Sequence, residues 1–325
     1  MMLHFIIKSK LYNADFVRDR TEGFDNFLKE IERQDVDQLA KVAGVDKQLV
    51  KEAAIAYATA RNSMEFHGLG VTEHQQGSKT VMLIADLAMI TGNIGRKGVG
   101  VNPLRGQNNV QGAADMGCQP HQGAGYFEVA DKKNQKFYTE KYGVTHPTKP
   151  GLKIPQMFEA AINKELKGVW IIGEDIVQTD PNSAHVIEAM NSLELLVVQE
   201  IFMSETAKLA TVVLPGTTFL EKDGTFTNTE RRVQRVNRAV PPLPGTKPDG
   251  VIVTEMMQKL GFDQPTYDAN QVLAEIADIV PFFKGITRER LGKMGLQWPV
   301  KEDGTDTQIL HTEEFKLGKG RLKNF

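Results

Sequence analysis

The sequence predicts an α/β protein built on parallel sheets. Three apolar runs, at 168–172, 195–199 and 211–215, alternate with stretches of helical periodicity. Short unbroken apolar runs suit strands covered on both faces, and a β-α-β-α-β order gathers ligands at the carboxyl ends of such strands. A further strand-turn-helix unit is predicted at 63–90. There a strand over 63–66 ends in His67-Gly68-Leu69-Gly70-Val71-Thr72-Glu73-His74, and a helix over 77–90 follows. Length supplies the third observation: 325 residues exceed what one hydrophobic core usually serves, so two or more domains are expected.

Composition narrows the function. Apolar content of 41% and charged content of 25% are ordinary for a soluble globular chain. A formal net charge of −2 gives no reason to expect a nucleic-acid partner. No apolar run reaches the length of a membrane helix. Cys118 is the only cysteine, which excludes an internal disulfide and a cluster held by four thiolates of this chain.

The elements follow in order. Met1-Met2-Leu3-His4-Phe5-Ile6-Ile7-Lys8 reads as the middle of a helix; it lacks the basic leader and cleavage site of a signal peptide. Phe24, Phe27, Leu28 and Ile31 recur at helical spacing inside the charged stretch 18–38. Leu49, Val50, Ala53, Ala54 and Tyr57 mark a second packing helix over 46–59. The helix over 77–90 is apolar at Val81, Leu83, Ile84, Leu87 and Ala88. A strand, a glycine turn and a helix together form the geometry in which backbone amides meet a phosphate. A phosphate or metal site at His67 and His74 is the sharper alternative, although no further ligands stand nearby in sequence.

From 91 to 125 neither periodicity is visible. Gly92, Gly95, Gly98 and Gly100 precede a run of amides around Arg105. Glycine lets a backbone approach a ligand closely, amides both donate and accept, and Arg presents a fork suited to a carboxylate or phosphate. A loop of this length inside a folded body is expected to bind something; a solvated linker is the alternative, against which the flanking apolar segments argue.

Residues 132–141 are charged and expected to be exposed, and Pro147, Pro150 and Pro155 punctuate a loop before a helix over 156–166. The strand at 168–172 ends in Gly173-Glu174-Asp175-Ile176-Val177-Gln178-Thr179-Asp180, with helices following over 183–191 and 205–209. Glu174 and Asp175 are read either as helix caps or as acceptors for the N–H donors of guanine. Threonines around Asp223-Gly224 predict a tight hairpin within 221–234, or simply a solvated hairpin with a basic face. A Pro/Gly loop at 241–250 and helices over 251–260 and 270–279 complete the list.

Five separated stretches resemble one family. They are the opening Leu11-Tyr12-Asn13-Ala14-Asp15-Phe16-Val17, the turn 67–74, the run Gly98-Val99-Gly100-Val101-Asn102-Pro103-Leu104-Arg105-Gly106-Gln107-Asn108-Asn109-Val110-Gln111-Gly112, the strand end 173–180 and the hairpin 221–234. All are similar to the catalytic subunits of formate dehydrogenases in the molybdopterin oxidoreductase family. The end, 315–322, resembles the lead-in to that family's C-terminal cap domain.

The resemblance implies parallel-sheet dinucleotide-binding-like domains of the molybdopterin oxidoreductase fold, with a small mixed α+β portion. Residues 1–107 would belong to one such domain and 108–217, continued by about 246–270, to a second; 218–245 and 271–325 would be remnants of a further small domain. The implied cofactor is a molybdenum or tungsten ion on two molybdopterin guanine dinucleotides. Arg105 would be the active-site arginine that pairs with the formate carboxylate, and Gln107 would lie beside the pterin. Gly68 and Gly70 would approach the pterin dinucleotide, and Gly173, Glu174, Asp175, Thr179 and Gln199 would take part in dinucleotide binding. One departure stands out: many relatives carry Asp before Val-Val-Leu-Pro, where this chain has Thr211.

Nothing in the sequence corresponds to the family's cluster-binding segment or to its metal-ligating Cys or selenocysteine followed by His. The chain is therefore expected to be an internal piece of a longer catalytic subunit, inactive alone, with no metal ligand of its own and any iron–sulfur cluster confined to an N-terminal part; the alternatives are another molybdopterin oxidoreductase, such as a nitrate reductase, or a non-catalytic pterin-cofactor-binding module. Its expected partners are formate, the remaining segments of the subunit, and electron-transfer subunits carrying iron–sulfur clusters or flavin. No nucleic acid or membrane segment is expected, and the implied location is cytoplasmic.

Overall fold

The computed structural model describes residues 1–323. The chain forms two compact units, one of residues 1–108 with 307–323 and one of residues 109–306.

The core of the first unit gathers around Ile6, Phe27, Ala54 and Ile90, all fully buried. They come from the helices Met2–Lys8, Phe24–Glu32, Lys47–Thr59 and Gly77–Ile90. Asp46 caps the third of these by accepting from the Leu49 N–H at 2.9 Å. Burial of each large apolar side chain here contributes roughly 1.5–3 kcal/mol. The strand Met64–His67 pairs in parallel with Gly100–Pro103, setting Glu65 opposite Val101 and His67 opposite Pro103. Thr21–Glu22 pairs in parallel with Gly320–Arg321. Arg20 fastens this returning segment, its guanidinium 5.2 Å from the Phe16 ring and 5.4 Å from that of Phe315, while Nη2 donates to the His311 carbonyl at 2.9 Å.

In the second unit the strands Gly168–Ile172, Leu195–Glu200 and Val212–Pro215 form a parallel sheet in sequence order. Val186 and Ala189 of the helix Ser183–Asn191 pack fully buried against Leu196 and Val198. The predicted hairpin is present: Gly224–Thr227 runs antiparallel to Arg232–Val236, which also pairs with Leu296–Gln297. Asp115, completely buried, accepts from Gln111 Nε2, Tyr126 Oη and Trp298 Nε1 at 2.9, 2.6 and 2.8 Å. No helix among the described residues is long and apolar enough to cross a membrane.

Three expectations need correction. The stretch 91–125 is not an unbroken loop, since it holds the strand Gly100–Pro103 and the helix Val110–Asp115. Val101 is the one β-branched residue of that strand, so its pairing comes from its neighbour and not from local propensity. The charged stretch at 132–141 is mostly exposed, as expected, but it forms a helix, Lys132–Tyr142, capped by Asp131 and ended by Gly143 at φ +68°, that buries Tyr138 in the core. The helix expected over 156–166 runs Ile154–Ile162, because Pro155 suits a first turn, where no N–H partner is needed.

Candidate functional site

In the first unit the carboxyl ends of two paired parallel strands lie side by side. The Leu104 N–H donates to the His67 carbonyl at 2.7 Å, extending the ladder by one residue past Pro103. Gly68 follows directly and opens a single helical turn, Leu69–Thr72, in place of the expected irregular glycine turn. A Cβ on Gly68 would meet the Leu104 carbonyl oxygen at 3.7 Å, and one on Gly106 would stand 3.3 Å from Leu69 Cδ1. The chain entering Arg105 is thus packed against the chain entering Gly70. Arg105, Gln107 and Gly70 are exposed, and nothing lies within 4 Å of where a Cβ on Gly70 would sit.

Behind this edge is a hydrogen-bonded carboxylate–imidazole pair. His67 Nδ1 lies 3.0 and 3.1 Å from the two Glu65 carboxylate oxygens, with the His67 side chain only 4% exposed. Residues two apart on a strand share one face, which brings the pair together. Asn102 Nδ2 donates to the carbonyls of Glu65 and Gly100, each at 3.1 Å. His67 Nδ1 is therefore committed to Glu65, while His74 is exposed. No group of three His, Cys, Asp or Glu able to hold a metal ion occurs among the described residues.

In the second unit the remaining expected residues gather at the carboxyl ends of the three-stranded sheet. Gly173 has φ +64°, its N–H donates to the Gln199 carbonyl at 2.9 Å, and the space where its Cβ would be is open. Glu174 is exposed and accepts from the Thr179 hydroxyl at 2.8 Å. Asp175 caps a helix, though not its own. One carboxylate oxygen accepts from Thr206 N at 3.0 Å and Thr206 Oγ1 at 2.6 Å, and the other from Gln178 Nε2 at 2.6 Å. Burial acts to raise the Asp175 pKa, but the hydrogen bonds from Thr206 and Gln178 outweigh it and hold the carboxyl below its usual range. Asp180 is pushed the other way, chiefly by burial and then by the charge of Glu174.

Gln199 is 1% exposed; its Nε2 donates to Asp249 at 2.7 Å, and its Oε1 is buried with no hydrogen-bond partner. The Thr217 hydroxyl is buried and unpartnered as well. Lys222 pairs with the other oxygen of Asp249. Thr217, Lys222 and Asp249 escaped the sequence reading because Asp249 lies 50 residues beyond Gln199, in what reads as a Pro/Gly connector. Thr211, the residue that departs from the family pattern, sits at the opposite end of the sheet. Its hydroxyl accepts from Leu196 N at 3.0 Å, at the amino end of the strands.

Residues 2–259 match the family described as Molybdopterin oxidoreductase. The chain is 42% identical over 327 residues to the F420-dependent formate dehydrogenase subunit alpha of Methanocaldococcus jannaschii, covering 100% of this chain and 48% of that protein. It is 37% identical over 329 residues to formate dehydrogenase H of Escherichia coli strain K12, covering 100% of this chain and 46% of that protein. It thus spans about half the length of these curated relatives. Among solved structures, acetylene hydratase from Pelobacter acetylenicus shares the fold, with a TM-score of 0.66 at 19% identity over 89% of this chain and 42% of that one. A match over most of the length, with parallel strands whose carboxyl ends carry the glycines and amides, assigns this chain to the molybdopterin oxidoreductase family.

Proposed function

We propose that this chain is part of the catalytic subunit of a formate dehydrogenase that oxidises formate to carbon dioxide on molybdenum or tungsten held by two molybdopterin guanine dinucleotides. The observation that carries the reading is Arg105, an exposed guanidinium on the segment leaving one of two adjacent parallel strand ends, packed beside the Gly68 turn. Arg105 would anchor the formate carboxylate through a bidentate, charge-assisted pair and keep that contact as the charge redistributes. The metal–pterin group, when bound, supplies the acceptor for formate's two electrons.

Each unit, taken by itself, carries residues that suit part of that cofactor. A buried acceptor without a donor costs about 1–3 kcal/mol, and both Gln199 Oε1 and Thr217 Oγ1 are in that position. The N–H donors of a guanine would relieve them. Gly70 and Gly173 leave room for close approach, Gly68 opens the turn beside Leu104, Gln107 is exposed beside Arg105, and Glu174 with Thr179 offers further polar contacts. Asp175, with both oxygens already accepting, would act mainly by holding Thr206 in place.

The same reading extends to electron-transfer subunits carrying iron–sulfur clusters or flavin, and to a cytoplasmic location. The chain alone would not turn formate over. The test is formate oxidation by the cofactor-loaded enzyme containing this chain, with and without Arg105→Ala. Loss of turnover with cofactor retained supports the reading. Unchanged kinetics, or formate oxidation by the purified chain by itself, sinks it.

A further inference from the structure

The pair Glu65–His67 is an expense that stability does not explain. A carboxylate and an imidazole kept from water each need a hydrogen bond to offset lost hydration, and apolar residues of similar volume usually serve a core at least as well. The first unit already has an apolar core around Ile6, Phe27 and Ile90. What the pair does have is position. It occupies the last turn of the pleat before Gly68, and the backbone of the same two residues carries the contacts that hold the neighbouring segment. The Glu65 carbonyl accepts from the Asn102 amide at 3.1 Å and the His67 carbonyl from Leu104 N at 2.7 Å.

We propose that Glu65 and His67 are positioning residues for Arg105, acting through the strand end that fixes Leu104. Linking two side chains on one face restrains the local φ and ψ of residues 65–67, and so restrains the direction of the His67 carbonyl. Leu104 takes its place from that carbonyl, and Arg105 is the next residue. The inference rests on the formate-anchoring role proposed for Arg105, but its structural half stands without it.

Two measurements separate the halves. In the chain itself, hydrogen exchange at the Leu104 amide should quicken at least tenfold in Glu65→Gln and in His67→Gln, with amides of the helix Gly77–Ile90 unchanged. Unaltered exchange at Leu104 in both variants overturns the proposal. In the cofactor-loaded enzyme, each variant should raise the formate KM about tenfold while kcat stays within twofold, as expected for loss of contacts made equally in the ground and transition states. That rise should vanish in an Arg105→Ala background, where no guanidinium remains to be placed. Additive effects of the two sites, or an unchanged KM in the single variants while Arg105→Ala raises it, overturn positioning and leave the formate reading intact. An Arg105→Ala enzyme with wild-type formate KM and kcat overturns the formate reading itself.

Discussion

The two strand-end clusters are built on different principles. In the first unit, the turn at Gly68–Thr72 and the segment Leu104–Gln107 present exposed backbone and one arginine. In the second unit, the side chains at 174–179, Gln199, Thr206 and Asp249 bind one another, and Asp175 alone accepts three hydrogen bonds. A backbone-lined edge with a cation suits an anion that comes and goes. A mutually bonded set of side chains suits a ligand that stays, since its geometry is fixed before binding. Family fingerprints occur in both, but side-chain truncations should read out differently: as kinetics at Arg105 in the first cluster, and as fold stability or cofactor retention in the second.

The largest effect expected from that contrast is at Arg105. Arg105→Ala should lower kcat/KM for formate in the loaded enzyme on the order of a hundredfold to a thousandfold, about 3–4 kcal/mol. Because Arg105 is exposed, the urea midpoint of the chain should shift by no more than roughly 0.5 kcal/mol in stability. A large loss of stability would mean that the first cluster is as internally bonded as the second.

Next comes a pH effect confined to the first unit. Asp86, in the helix Gly77–Ile90, is 1% exposed with one oxygen unpartnered, and burial raises its pKa to about 7 despite a hydrogen bond from the Lys323 backbone and the Lys323 charge. A carboxyl raised in the folded state binds more protons there than in the unfolded chain. Stability therefore falls as pH climbs from about 4 to about 7 and then levels off, a loss on the order of 3–4 kcal/mol. Asp86→Asn should abolish this slope and stabilise the protein at pH 8, measured by urea unfolding at pH 5 and pH 8. A wild-type stability that is flat over this range would contradict the burial argument.

Asp175→Ala should destabilise the second unit by about 2–3 kcal/mol, since it strands the Thr206 N–H and hydroxyl. The folded-state pKa of Asp175 is depressed, so its contribution is present above the unfolded carboxylate range and disappears as pH falls below it. If Asp175→Ala melts like wild type at neutral pH, then the hydrogen-bonded set does not support the fold. The smallest effect concerns Gly70, which sits inside a helical turn with open space around it. Gly70→Ala should stabilise the cofactor-free chain by about 0.5–1 kcal/mol. The same change should weaken cofactor retention if the backbone there approaches the dinucleotide. Unchanged retention, scored by cofactor content after gel filtration, would remove Gly70 from the binding edge.

Much of this was readable in one dimension. The three strands declare themselves through short apolar runs bounded by polar residues and glycine, although Ile172, Leu195 and Val212 are exposed, so the expected cover on both faces is incomplete. The helix Lys47–Thr59 declares itself through its period and its capping Asp46. The glycine turn after Met64–His67 and the strand end at Gln199 are likewise legible as places in the fold, since each follows a local pattern. The strand Gly100–Pro103 was not legible, because only pairing with Met64–His67 makes it a strand. The partners of Asp175 and Gln199, 31 and 50 residues away, were equally out of reach. The sequence by itself determined which residues are available for chemistry and which segments form the layers. Tertiary structure decided which of those side chains are already spoken for, because that depends on who is brought within three ångströms, and no local period records it.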